Sequence, residues 1–424
     1  MKPMKSICLS LLVVTGAAVG VSGEPFRTDI NPALLYYQAS QVAPDLSAAD
    51  RDYLFANDWR GQKLPARFGE LVARYDNQFK LVRQAAQATV PCDWGVDMSA
   101  GPATMLPHLA RNKAIAQAAR LRAMWDLQQG HPADACDDLL AALALGRNSS
   151  RDGTLIAALV QVAIENIFCS TVAENFHQLS PETLKQLADG LDAVPARGTM
   201  AACMTTEKRL FHDWLVSKIL DLRKANPGNE AKVMTAIHEQ LFLDPPEEGQ
   251  ANQTQPNRWE QVTTAAGGTS EGVLGLLGDY ESLYQRAAVM LALPHLEYQD
   301  QMKQFLAEVQ RSSNPLVSLT FPAIWKARTK EFAILAELAM VRAAVEYKLH
   351  GDAGLQSVTD PCGQGPFGFE RFVFQGVDRG FELKSAYDGR GFPEVLIFVE
   401  KDVTPFQVNG RNSGQALPKT STTK

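Results

Sequence analysis

TLIAALVQVAIENIFCSTVAENF, residues 154–176, is apolar on nearly every side when wound as a helix. A surface helix shows one apolar stripe, whereas a helix apolar all round lies in a core or crosses a membrane. The run is almost long enough for a span, which takes about 20 apolar residues. Gln161, Glu165 and Asn166 interrupt it at mid-length, where hydrocarbon penalises polar groups. The stretch therefore reads as the central helix of a bundle. It also withdraws Glu165 from water, and a buried carboxylate must be paired or protonated. The helix carrying Arg120 and Arg122 offers candidate partners.

Apolar spacing on both sides of this helix is helical. Val72, Tyr75, Phe79, Val82 and Ala86 recur at three and four, as do Ala110, Ala114, Ala118, Leu121 and Trp125. Gly130 stops the second of these helices, and His131-Pro132-Ala133-Asp134 restarts the chain into residues 136–145. Ser180-Pro181-Glu182 caps a further helix. Residues 200–224 form another, with Phe211, Leu215, Ile219 and Leu222 aligned. Together, residues 24–243 are expected to form a helical body of hairpins around the buried helix. Residues 244–268 are rich in Pro, Gly, Asn and Gln and read as a polar loop or linker. Helical spacing resumes with Leu276, Tyr280, Leu283, Ala287 and Leu291. It is strongest at Ile334, Leu338, Val341, Val345 and Leu349, so residues 269–350 are expected to pack on the body.

Alternation replaces helical spacing after Gly351. Strands are expected at 369–375, 381–385 and 395–400, with turns at Asp378-Arg379-Gly380 and Asp388-Gly389. Residues 351–406 thus read as a small antiparallel meander docked on the last helix, and 407–424 as a disordered tail. The fold class expected is mainly α with a three-stranded C-terminal sheet.

Several short motifs fail on their context. Gly363, Gly365 and Gly368 spell G-x-G-x-x-G with Asp388 about twenty residues on, but a dinucleotide loop needs a strand before it and a helix after it. Here a helix precedes and a strand follows, and Pro366 removes an N–H. Gly268-Thr269-Ser270-Glu271-Gly272 matches G-x-S-x-G without the buried strand of a nucleophile elbow, and Ser270 is expected as a helix cap. His238-Glu239 begins a zinc-helix motif whose second His is replaced by Phe242. Asp134, Asp137 and Asp138 sit at a helix start, where carboxylates favour the dipole. Glu165, and the cluster Glu207, His212 and Asp213 beside Lys208 and Arg209, remain as candidate site residues. One reading makes them ion pairs that fix helix register; the other makes them a ligand-binding or catalytic acid. No cofactor or metal is expected.

The chain opens with Lys2 and Lys5, an apolar stretch at residues 7–21, and Val21-Ser22-Gly23, the pattern of a leader cleaved before Glu24. Export is therefore expected, to the periplasm or beyond, with no stable membrane span afterwards. Cys92, Cys136, Cys169, Cys203 and Cys362 form no C-x-x-C and read mostly as small apolar fillers, with at most one pair bridged. The net charge of −6 is mixed along the chain without a basic cluster, which argues against a nucleic-acid partner.

The segments Asp360-Pro361-Cys362-Gly363, Pro366-Phe367-Gly368-Phe369, Gly380-Phe381-Glu382-Leu383-Lys384-Ser385 and Asp388-Gly389 resemble the C-terminal β-segment of type II secretion pseudopilins. The sequence lacks the further acidic residues near Asp388 that make that family's calcium loop. More of the chain resembles a group of secreted, planctomycete-type bacterial helical proteins to which no activity is attached. That likeness rests on residues 31–39, Leu179-Ser180-Pro181-Glu182, Glu207-Lys208-Arg209 and the same C-terminal segment. It implies location and architecture. The resulting expectation is an exported, non-enzymatic binding or scaffolding protein of the cell envelope with a protein or envelope partner. The alternatives are a hydrolase with its acid among Glu165, Glu207, His212 and Asp213, and a pseudopilin-like accessory of a secretion system.

Overall fold

The structure, a computed structural model, describes residues 29–55, 63–241, 258–389 and 394–401. The leader expected at 1–23, residues 244–257 of the expected linker, and the tail at 407–424 lie outside the described residues.

The N-terminal layer comprises α1 (Pro32–Gln41), α2 (Ala48–Phe55), α3 (Phe68–Arg74) and α4 (Asp76–Ala86). These pack on the hairpin of α5 (Pro107–Gln128) and α6 (Pro132–Ser149). Gly130, at φ +82°, and Pro132, at the first position of α6, make the sharp reversal that the sequence announces. The opening stretch becomes α7 (Leu155–Glu174), capped by Thr154, whose side chain accepts the Ala157 N–H. Although α7 is long and apolar enough to cross a membrane, it lies within the bundle and packs against α5 and α6.

Next come α8 (Pro181–Ala193), capped by Ser180, then α9 (Met200–Lys208) and α10 (Trp214–Ala225). The last two are joined by a π-helical turn, Arg209–Asp213. Next are α11 (Glu230–Leu241), α12 (Arg258–Ala265), α13 (Ser270–Leu291), α14 (His295–Arg311), α15 (Pro315–His350) and short α16 (Asp352–Gln356). The expected linker is therefore helical over α12. The last expected helix starts nineteen residues earlier than the Ile334 stripe suggests and carries Pro322 inside it. α15 also packs against α7, so the central helix is covered from both halves of the chain.

Three strands, β1 (Gly368–Phe374), β2 (Val377–Lys384) and β3 (Val395–Val399), pair antiparallel in that order. The first turn is Gln375-Gly376, not Asp378-Arg379-Gly380. Both its residues have positive φ (51° and 76°), as a two-residue hairpin turn twisted to suit its strands requires. Asp378 to Gly380 lie inside β2, where the register shifts at a bulge.

Phe381 and Phe398 are fully buried and stack on each other at 5.2 Å. Phe176, just after α7, meets both rings edge-on, and Tyr347 of α15 covers Phe369 and Phe381. The sheet is thus covered by α15, as its alternation requires, and also by the end of α7. The buried Asp360 carboxylate accepts from the Cys362 and Ala386 N–H groups and from the Ser385 hydroxyl. That one side chain explains why Asp360, the following turn and Ser385 occur together.

Candidate ligand-binding groove

An open groove of about 910 Å³ lies where the start of α7 meets the π turn, α13, α15 and the loop before α5. Its walls are mostly aliphatic, among them Leu106, Leu109, Leu155, Leu159 and Ile324. Ala323 and Ala327 on α15 leave space that larger side chains would fill. Two apolar residues at its rim stay in water: Met105 is 80% exposed and Ile156 57%. Large aliphatic side chains exposed around a concave apolar surface mark a binding site more often than chance packing.

Local geometry holds this shape. Gly101 sits at φ +60°, and a Cβ there would lie 2.4 Å from the Trp214 ring, so the loop needs glycine to lie against α10. Trp214 Nε1 donates to the Ser99 carbonyl at 3.0 Å, fixing the same contact. The π turn gains one residue per turn over an α-helix, a feature often found at functional sites. Here it presents Leu210 and Phe211 to the groove.

Polar groups in the groove are few. Glu207 Oε1 accepts the Leu155 N–H at 2.6 Å, completing the first turn of α7. Burial raises its pKa, and Asp152 adds to the rise, against the lowering by that N–H. Tyr284 donates its hydroxyl to the Met204 carbonyl at 2.8 Å. Burial pushes the neighbouring Tyr280 phenol up to about 12, so it stays neutral. Lys113 stands exposed at the rim.

The four candidate residues occupy three separate places. Glu207 alone lines the groove. His212 stacks behind Tyr280 at 6.5 Å and joins Asp213 (2.8 Å) in a surface cluster with Lys208 and Glu281. Asp213 is held below the usual carboxylate range: Lys208 and His212 outweigh the opposing effect of its partial burial.

Glu165 is fully buried within an ion network. Arg197 clamps it through Nη2 (3.0 Å) and Nε (3.3 Å), Arg147 stands 3.7 Å away, and Gln161 donates at 3.3 Å. Arg197 also holds Glu331 of α15 at 2.8 Å, and Arg328 pairs with the other oxygen of Glu331. Burial lowers the pKa of Arg147, while for Arg197 the two carboxylates overcome the same penalty and raise it.

Arg122, one candidate partner for Glu165, is engaged elsewhere. It binds Asp138 (2.8 Å) and Asp76 (2.7 Å), and Arg83 binds Asp138 at 2.6 Å. Asp138 is thus more than a dipole partner at a helix start. It is fully buried and ties α4, α5 and α6 together. Ser270 is not the cap of its helix either. Thr269 is, accepting the Gly272 N–H, while the Ser270 N–H goes to Glu230. A helix, α12, precedes that G-x-S-x-G, so the strand of a nucleophile elbow is absent there. G-x-G-x-x-G runs from α16 into β1, the reverse of a dinucleotide loop. The five cysteines at 92, 136, 169, 203 and 362 are all buried and unbridged.

Sequence reasoning missed Met105, the π turn, and the partners Arg197 and Glu331. Met105-Leu106, apolar residues in a Gly-Pro loop ahead of a helix, carried a readable signal; Arg197 and Glu331, 134 residues apart, carried none. Comparison with known proteins finds no family model, no curated protein and no solved structure that matches this chain.

Proposed function

We propose that the chain is an exported, non-enzymatic binding protein of the bacterial cell envelope that takes an apolar or amphipathic ligand in the groove beside Glu207. The carrying observation is an open, aliphatic groove of about 910 Å³ whose rim keeps Met105 and Ile156 in water. The volume lies within the usual span for small-molecule sites, roughly 300–1,000 Å³. Export and the envelope setting rest on the basic and apolar start of the sequence and on the C-terminal likeness described above.

A hydrolase would need its acid next to a base or nucleophile. Glu207 has neither within its hydrogen bonds, His212 and Asp213 are engaged behind Tyr280, and Glu165 is saturated by guanidinium groups. A neutral environment-sensitive dye, N-phenyl-1-naphthylamine, tests the reading. Its fluorescence should rise and saturate with the native protein and stay low with Ala323→Trp, which fills the groove from α15. Equal enhancement by both proteins, or none by either, would overturn the assignment of the groove. Turnover of p-nitrophenyl esters that is lost in Glu207→Gln would overturn the non-enzymatic part.

A further inference from the structure

We propose that the groove selects an organic cation: an ammonium group on an apolar chain, seated against Glu207 and faced by Phe211, Tyr280 and Tyr284. This rests on the groove being a binding site and specifies the head group that the site takes.

The charge balance around Glu207 favours a cation. In the interior Glu165 is met by Arg197 and Asp138 by Arg83 and Arg122, whereas Asp360 is met by two N–H groups and a hydroxyl. Among the described residues no Lys or Arg forms an ion pair with Glu207, whose one hydrogen bond comes from the Leu155 N–H. The positive end of α7 compensates part of one charge. Asp152 nearby has the same sign and works against that compensation. A carboxylate in apolar surroundings without a counter-charge attracts a cation far more strongly than it would in water.

The wall beside Glu207 is aromatic. Tyr280 lies 5.9 Å from Phe211 and 5.5 Å from Tyr284, ring centre to ring centre, and all three side chains line the groove. Aromatic faces carry negative potential and attract ammonium groups, most of all when water is excluded. The phenol oxygen of Tyr284 is committed to Met204, and with Tyr280 and Tyr284 almost wholly buried, Phe211 presents the most accessible ring of the three.

A head group of the opposite sign fits the groove poorly. Among the described residues Lys113 is the only cation in the lining, and it is exposed at the rim, where water and salt weaken its pull. An anionic head drawn to Lys113 would leave Glu207 without compensation, and one placed deep in the groove would meet the carboxylate directly. A neutral chain would fill the aliphatic part and leave Glu207 as it is. Only a cationic head satisfies both the aromatic wall and the carboxylate.

Displacement of N-phenyl-1-naphthylamine by three ten-carbon ligands, kept below their aggregation concentrations, separates these cases: decyltrimethylammonium, decanol and decanoate. With the native protein the ammonium compound should displace the dye at a concentration roughly tenfold below that of decanol, with decanoate weakest. In Glu207→Gln, whose amide oxygen still accepts the Leu155 N–H, the ammonium and alcohol values should converge. Equal potency of the three ligands on the native protein, or decanoate strongest, would overturn the cation assignment and leave the groove reading standing. An ammonium preference that survives in folded Glu207→Gln would overturn the role of Glu207. Failure of the dye itself to bind would remove both readings. Should Glu207→Gln fail to fold, the head-group order on the native protein decides alone.

Discussion

At its first residue α7 meets the carboxylate of Glu207, and about three turns further on it carries Glu165 itself. Glu165 is fully buried and Glu207 half-buried, and their surroundings are opposite. Glu165 is enclosed by Arg197, Arg147 and Gln161, and through Arg197 it is wired to Glu331 and Arg328. Glu207 has one backbone N–H, an aliphatic groove and three aromatic rings. A buried carboxylate with every lone pair answered from within the chain joins elements. One that faces apolar space without a counter-charge is placed for a partner from outside. The contrast is informative because both carboxylates meet α7, Glu165 from within it and Glu207 from α9.

The ion network occupies a position that matters for the whole fold. It links α6, α7, the loop before α9 and α15, so it lies between the N-terminal core and the core built from α9 to α15. Buried ion pairs are weak net stabilisers, but breaking one by removing a single partner leaves the other charge exposed to low dielectric. Arg197→Ala removes the guanidinium shared by two fully buried carboxylates. It should cost about 3–5 kcal/mol in urea denaturation, the largest effect expected here. A loss below about 1 kcal/mol would mean that the network is no more than a surface-grade contact.

A smaller effect, with a sign that sharpens the contrast, concerns pH. Burial raises the pKa of Glu207 above the ordinary glutamate value of about 4.5. A carboxyl whose folded pKa exceeds its unfolded one favours the fold while protonated. That contribution is fully present below about pH 4.5 and is lost as pH rises through the raised folded value. Native protein should therefore lose stability relative to Glu207→Gln as pH climbs from 4.5 in the absence of ligand. Parallel pH profiles for the two proteins would place Glu207 in water instead of in the groove wall.

The smallest expected effect provides the baseline. Arg286 and Glu308 join α13 to α14 by a two-pronged pair at 2.6 and 2.7 Å, and both are about half exposed. Arg286→Ala should cost no more than about 1 kcal/mol, because solvent screens such pairs. A loss comparable to that of Arg197→Ala would show that burial does not separate the two kinds of ion pair.

Much of this architecture can be read from the sequence. Residues 154–176 give the buried helix because their apolar character is continuous, and Gly130 with Pro132 gives the hairpin because few other residues make that reversal. The alternation after Gly351 gives the sheet. Misreadings occur where geometry depends on contacts distant in the chain. The turn assigned to Asp378-Arg379-Gly380 is a bulge inside β2, since Gln375-Gly376 already supplies the positive φ values of the hairpin. Arg197, which clamps Glu165, sits on a loop, and helical spacing gives a side chain's face but not which loop folds over it. Glu207 stands out as a polar residue, but nothing in its neighbours reveals that it borders open space. That space exists because Ala323 and Ala327 of α15 and the Gly101 loop come together from two distant parts of the chain.

Thermal melting of the native protein, Glu165→Gln and Glu207→Gln, each with and without decyltrimethylammonium, tests the division of labour most directly. A ligand that binds only the folded state raises the melting temperature in proportion to its occupancy. The account predicts that Glu165→Gln melts lower than the native protein yet gains the same upward shift from the ligand. It predicts that Glu207→Gln melts close to the native protein and gains little or no shift. A Glu207→Gln protein that keeps the full ligand shift, or a Glu165→Gln protein that melts like the native chain and loses it, would contradict the account.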